Sequence, residues 1–170
     1  KKLAVDTMTE LQNQGIDINR FVTNGIINHV KRNKDNEIEF MYRCGKIAVS
    51  YDGDKITSVH YKFGDECPKE FYDDSGRVVK KEIYNKQDSK IRDEEFEYES
   101  NSGNYIKTTT TYSNNPEEPT TIVTEYIIEG KNYPTTRTTS YTKNSSDLIS
   151  DDDIDEIITE ELDPDTGKQS

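Results

Sequence analysis

From about residue 26 onward, apolar and polar positions alternate with a period of two, interrupted at short intervals by clusters of Asn, Asp, Ser and Gly. A period of two sends successive side chains to opposite faces of a strand. The clusters supply the positive φ angles and side-chain-to-backbone hydrogen bonds that tight turns need. The pattern predicts a chain of β-hairpins turning at Asn33-Lys34-Asp35-Asn36, Cys44-Gly45, Asp52-Gly53-Asp54, Gly64-Asp65-Glu66, Asp73-Asp74-Ser75-Gly76 and Asn101-Ser102-Gly103-Asn104. Residues 37–43 send Ile38, Phe40 and Tyr42 to one side, the next strand sends Ile47, Val49 and Tyr51, and the one after it Val59, Tyr61 and Phe63. These three apolar faces are the expected core.

Beyond Lys80 the alternation weakens. Residues 91–100, 105–113 and 135–143 are polar at both parities, whereas 121–129 carries Ile122, Tyr126 and Ile128 on one side and Val123 and Ile127 on the other. That segment is expected to lie between two neighbours. Pro116, Pro119 and Pro134 fall in connections, where a missing donor does no harm.

The two ends depart from the strand pattern. Leu3, Ala4, Met8 and Leu11 recur at helical spacing before Gln14-Gly15, which predicts a short amphipathic helix. Residues 16–30 fit either a second helix capped by Asp17 or Asn19 or a strand, because Gly25 and the β-branched residues oppose a helix. Residues 154–162 alternate as a strand, yet Ile154, Ile157, Ile158 and Leu162 also make a helical stripe. The fold expected is mainly β: an antiparallel β-meander, extended and in part single-layered, with a short N-terminal helical segment. Its organisation is residues 1–30 as a helical segment packed on the sheet, 31–146 as the meander, and 147–170 as an acidic strand or helix.

Composition narrows the partners. Only 30% of the 170 residues are hydrophobic, 33% are charged and the net charge is −12, close to the disorder regime. Eleven tyrosines and a Thr-rich stretch between Tyr105 and Thr142 oppose disorder, because both residue types suit a half-buried pleated surface. Phosphate binding depends on clustered Lys and Arg, so nucleic acid is a poor partner. No apolar run approaches the roughly 20 residues of a membrane-spanning helix. The chain opens at Lys1, which fits loss of an upstream segment such as a signal peptide. A hairpin of residues 46–52 and 55–63 puts residue 44 opposite residue 63 with Cys67 just beyond. Cys44 and Cys67 are therefore expected to form a disulfide, in an oxidising compartment.

Catalytic patterns are weak. His29 and His60 stand alone, without the spacing of a zinc site. Asp151, Asp153 and Asp155 have the spacing of a calcium loop, but Glu156 replaces the glycine of its sharp turn and Leu162 the final carboxylate. The chain has no Trp to stack a sugar ring. Neither a metal nor any other cofactor is expected, and the chain does not read as an enzyme.

Tyr72-Asp73-Asp74-Ser75-Gly76-Arg77-Val78 resembles the YD repeat of the Rhs and teneurin proteins and the MORN-like repeats of some bacterial surface proteins. Looser copies lie at residues 51–55, 98–103 and 162–168. The resemblance implies a ladder of hairpins with Tyr72 and Gly76 in structural roles. The Lys, Glu and Thr balance is also similar to that of spirochaete outer-surface lipoproteins with a solvent-exposed single-layer sheet. The function expected is that of a non-catalytic secreted or cell-surface bacterial module for adhesion or protein binding. Its partner would be a host or cell-surface protein, met by a Tyr/Thr face including Tyr105, Tyr112, Tyr126 and Tyr141. The alternative is a cytosolic acidic inhibitor that masks a basic toxin or enzyme through Asp151, Asp152 and Asp153.

Overall fold

The computed structural model describes residues 9, 12–13, 21, 27–112, 120–142 and 154–170. Among them run eleven strands: β1 (Ile27–Arg32), β2 (Ile38–Tyr42), β3 (Gly45–Asp52), β4 (Lys55–Lys62), β5 (Cys67–Tyr72), β6 (Val78–Tyr84), β7 (Lys90–Tyr98), β8 (Tyr105–Thr111), β9 (Thr120–Ile127), β10 (Thr136–Thr142) and β11 (Ile154–Glu161). They form one sheet in strict sequence order, and the protein is an antiparallel meander. The N-terminal helical pattern falls almost wholly outside the described residues. β1 already begins at Ile27, ahead of the expected start of the meander at residue 31. Residues 154–161 are a strand, not a helix.

The turns show why the sequence folds back so often. At Asn33 the side-chain Oδ1 accepts the amides of Asp35 and Glu37 at 3.0 and 2.9 Å. Asp73 does the same for Ser75 and Arg77, both at 2.9 Å, and Asn85 accepts from Gln87 at 3.0 Å. In each turn the carbonyl of this first residue accepts the amide three positions on. That fourth residue, Asn36, Gly76 or Asp88, lies in the left-handed region at φ 63°, 82° and 66°. Gly, Asn and Asp tolerate this region best. Asp163 repeats the device with one extra residue, its carbonyl accepting the Gly167 amide at 2.8 Å. The shared determinant is a leading Asx followed by a residue that accepts positive φ. The turn at Asn85, like that at Asn33, has no glycine.

Two compact units divide the chain: residues 1–78 with 84–88, and residues 79–83 with 89–170. The first holds the apolar core, made of Phe21, Val30, Ile38, Phe40, Ile47, Val49 and Val59, with Tyr42, Tyr51, Ile56, Tyr61, Phe63 and Tyr72 packed against it. The apolar faces of β2, β3 and β4 do meet as expected: Ile38 pairs with Val49 and Phe40 with Ile47. Val49 in turn pairs with Val59, and Ile47 with Tyr61. Phe21 stacks on Phe40 with ring centroids 5.0 Å apart, and the Tyr42 hydroxyl donates to the Phe21 carbonyl.

One irregularity adjusts this core. Tyr51 pairs with Ile56 but Ser50 pairs with Ser58, so Thr57 is an extra residue in β4. Ile56 and Val59 are three apart and would face opposite ways in a regular strand. The bulge turns both toward the core. Gly45 marks the other close approach, because a Cβ there would meet the Lys62 carbonyl and the Phe63 ring.

Two substitutions separate core from turn. Phe40→Ala, at a fully buried position, is expected to cost about 3–5 kcal/mol. Gly76→Ala, at φ 82° on an exposed turn, should cost about 1 kcal/mol. Urea unfolding of the full chain, followed by circular dichroism, measures both.

Candidate functional site

The second unit is built differently. Its register can be followed from strand to strand, and few of its rows are apolar. Glu95 pairs with Thr108, Thr108 with Thr124, Thr124 with Thr138 and Thr138 with Thr159. The result is a row of threonines crossing β8 to β11, with neighbouring strands about 4.8 Å apart. The hydroxyls of Thr138 and Thr159 lie 3.4 Å apart. On the same face, one row along, come Asp93, Thr110, Ile122, Ser140 and Ile157; on the other side come Glu97, Ile106, Tyr126, Thr136 and Glu161.

Its borders are fixed by tyrosines. The Tyr126 hydroxyl donates to Glu99 Oε1 at 2.8 Å and accepts from Asn104 Nδ2 at 3.3 Å. At the other end Tyr112 donates to Asp93 Oδ2 at 2.6 Å while Lys90 sits over its ring. A hollow of 260 Å³ lies beside the threonine row, lined by Lys80, Glu95, Glu97, Ile106 and Thr108 among others.

The reverse face holds charge pairs and aromatic rings. Glu94 accepts Lys107 at 3.1 Å and Arg92 at 3.3 Å. Burial pushes its pKa up, but the bonds and charges of Lys107 and Arg92 outweigh that and hold it below the ordinary value. Arg137 binds Glu125 at 3.1 Å. Tyr105 packs against Phe96 and Tyr98, with centroids 6.0 and 5.6 Å away. Tyr141 lies on this side too, between Thr121 and Glu156.

The four tyrosines expected to share one binding face are therefore divided. Tyr112 and Tyr126 flank the threonine row, and Tyr105 and Tyr141 belong to the reverse face. The reason is parity: 105 and 141 are odd positions in strands whose register sets them opposite the even ones. Asp151, Asp152 and Asp153 lie outside the described residues. The threonine row is the group that the sequence does not single out. Its threonines are visible as a cluster, but only the pairing of four strands aligns them.

In the first unit Tyr72 packs against the core and Gly76 occupies the left-handed turn position. The cysteines correct the sequence expectation, because both are free thiols. Cys44 is exposed, whereas Cys67 is buried with Sγ 3.8 Å from the Gly64 carbonyl and 3.9 Å from that of Phe63. The bulge at Thr57 moves the register by one residue, so that continuing the pairing from Lys46 and Lys62 brings Cys44 opposite Gly64 and not Phe63. Both thiols line an open hollow of 640 Å³ with Lys62, Lys86 and Asp88.

His60 is buried on the face of β4 opposite the apolar core. It stands in a row running Lys31, Glu39, Ala48, His60, Lys69. Glu39 is held by Lys46 at 2.9 Å and Lys31 at 3.5 Å. His60 is 7% exposed, its Nε2 has no hydrogen-bond partner, and its ring lies 5.2 Å from that of Tyr84. Burial first, and then the charges of Lys62 and Lys69, lower its pKa to about 4. This is the setting of a neutral structural ring.

No protein-family model, curated protein or solved structure matches the chain.

His60 generates a pH prediction. The unfolded imidazole takes up its proton near pH 6.5 and the folded one only near about 4. The unfolded state thus binds more protons in that window, and stability falls as the pH drops through it. The expected loss from pH 6.5 to 4 is on the order of 2–3 kcal/mol. His60→Gln should flatten the decline over that window, as urea midpoints measured across the range will show.

Proposed function

We propose that this chain is a non-catalytic binding module of a secreted or cell-surface bacterial protein, serving adhesion or protein binding through the threonine face of β8 to β11. The observation that carries the proposal is the in-register row Thr108, Thr124, Thr138 and Thr159, flanked by Ile106, Ile122 and Tyr126. Threonine and tyrosine each join an apolar surface to a hydroxyl, so such a face can exclude water and still offer hydrogen bonds. Strands hold these groups more firmly than loops would, which lowers the ordering cost of association. The exposed acidic residues Glu95, Glu97 and Glu99 along one border favour a neutral or basic partner and oppose nucleic acid. The hairpin ladder fits the resemblance to YD and MORN-like repeats, whose meanders extend surface proteins.

A second function has its own support. The free thiols of Cys44 and Cys67 and the acidic strand β11 suit a cytosolic inhibitor that masks a basic protein.

The test uses the double variant Thr124→Arg with Thr138→Arg. Labelled full chain is applied to immobilised mucin, fibronectin and cultured epithelial cells, alongside a control variant, Thr109→Arg, on the reverse face. The expected result is a loss of at least about tenfold in binding for the double variant alone, with an unchanged circular dichroism spectrum. Equal binding by all three proteins removes the threonine face from consideration.

A further inference from the structure

Strand β11 ends the sheet, with β10 on one side and, among the described residues, no strand on the other. Its inward and outward backbone groups can be told apart. The Leu162 amide donates inward to the Thr135 carbonyl at 2.8 Å, and the Glu161 carbonyl accepts the Ser170 amide at 3.0 Å. Backbone groups of an antiparallel strand alternate in direction. Those of Ile158 and Glu160 therefore bond β10, while those of Ile157 and Thr159 point out of the sheet. The outer row is open between the register shift beside Ile154 and the turn that returns the chain to Gln169, which bridges Leu162. At its centre Ile157 is 61% exposed and Ile158 41% exposed.

An open edge of this kind accepts a further strand, and its side chains select which. β11 contributes Asp155, Glu156, Glu160 and Glu161, and no Lys or Arg stands between Asp147 and Asp165. Two copies of β11 laid side by side would bring one acidic edge against another, and like charges facing each other are destabilising. A strand with Lys or Arg at alternate positions meets the opposite field. Its apolar residues would cover Ile157 or Ile158, according to register.

We propose that the outer edge of β11 binds an extended basic segment of a partner protein by strand addition. The new backbone hydrogen bonds go to Ile157 and Thr159, and the basic side chains lie beside Glu156 and Glu160 on one face, with the apolar ones over Ile157 on the other. The edge is read through outward backbone groups, which the variant Thr124→Arg with Thr138→Arg on β9 and β10 does not remove, although the side chains of Ile157 and Thr159 also belong to the threonine face.

The experiment follows backbone amide exchange of the full chain by NMR with a peptide of about ten residues alternating valine and lysine. The expected result is that exchange at Ile157 and Thr159 slows by at least about tenfold, that raised salt reverses the effect, and that the same pattern with glutamate does nothing. An N-methylated valine–lysine peptide, which lacks the backbone donors, should not protect. Ile157→Pro removes an outward amide without touching the bonds to β10 and should abolish protection at Thr159, with the exchange of β8 to β10 as the check on folding. Absent protection, equal protection by the glutamate or N-methylated peptide, or protection that tracks protein concentration without any peptide, as for self-pairing, would each overturn the proposal.

Discussion

Every feature of this protein depends on each strand pairing with the next one in the chain. A sequence with so few aliphatic side chains cannot rely on a large core, and the backbone hydrogen bonds of the ladder must be closed locally, hairpin by hairpin. That makes the turn the governing element. A leading Asn or Asp whose side chain accepts two amides, followed by a residue that accepts positive φ, reverses the chain within a few residues. Glycine is one solution at the fourth position, and Asn36 and Asp88 are others. The tyrosine and glycine of the repeat-like signature are therefore partners of the Asx residue that starts the turn.

The two units solve the burial problem differently. The first gathers its large apolar residues on one face of β2 to β4, where Phe21 covers Phe40, and leaves the reverse face to long charged side chains around Glu39 and a neutral His60. Among the described residues the second has no comparable cluster. It spreads hydroxyls over one face and ion pairs with aromatic rings over the other, each cross-strand pair contributing about 0.2–1 kcal/mol.

Small irregularities decide how these faces meet. One extra residue, Thr57, lets Ile56 and Val59 share the core, and the same residue shifts Cys44 away from Phe63. Shifting register by one residue moves a whole set of side chains to the other face. The edge of β11 shows a similar economy of means, since its acidic residues oppose self-pairing while the Asp163 turn returns the chain to cover the last outward group.

Local patterns in the chain set the class of fold, the place of most strands and turns, and the core residues of β2 to β4, but not the addition of Phe21 and Val30 to that core. These follow from local rules: alternation along a strand, and the few residue types that accept a left-handed turn. Segment 121–129 showed its position between two neighbours, because it is apolar on both sides. Strand pairing across the sheet settles that residues 154–161 form a strand, that Tyr105 and Tyr126 face opposite ways, that four threonines align, and that Cys44 and Cys67 stay apart as free thiols. Those outcomes depend on register, which is set by turn lengths and bulges summed over several strands, and no single segment contains that sum.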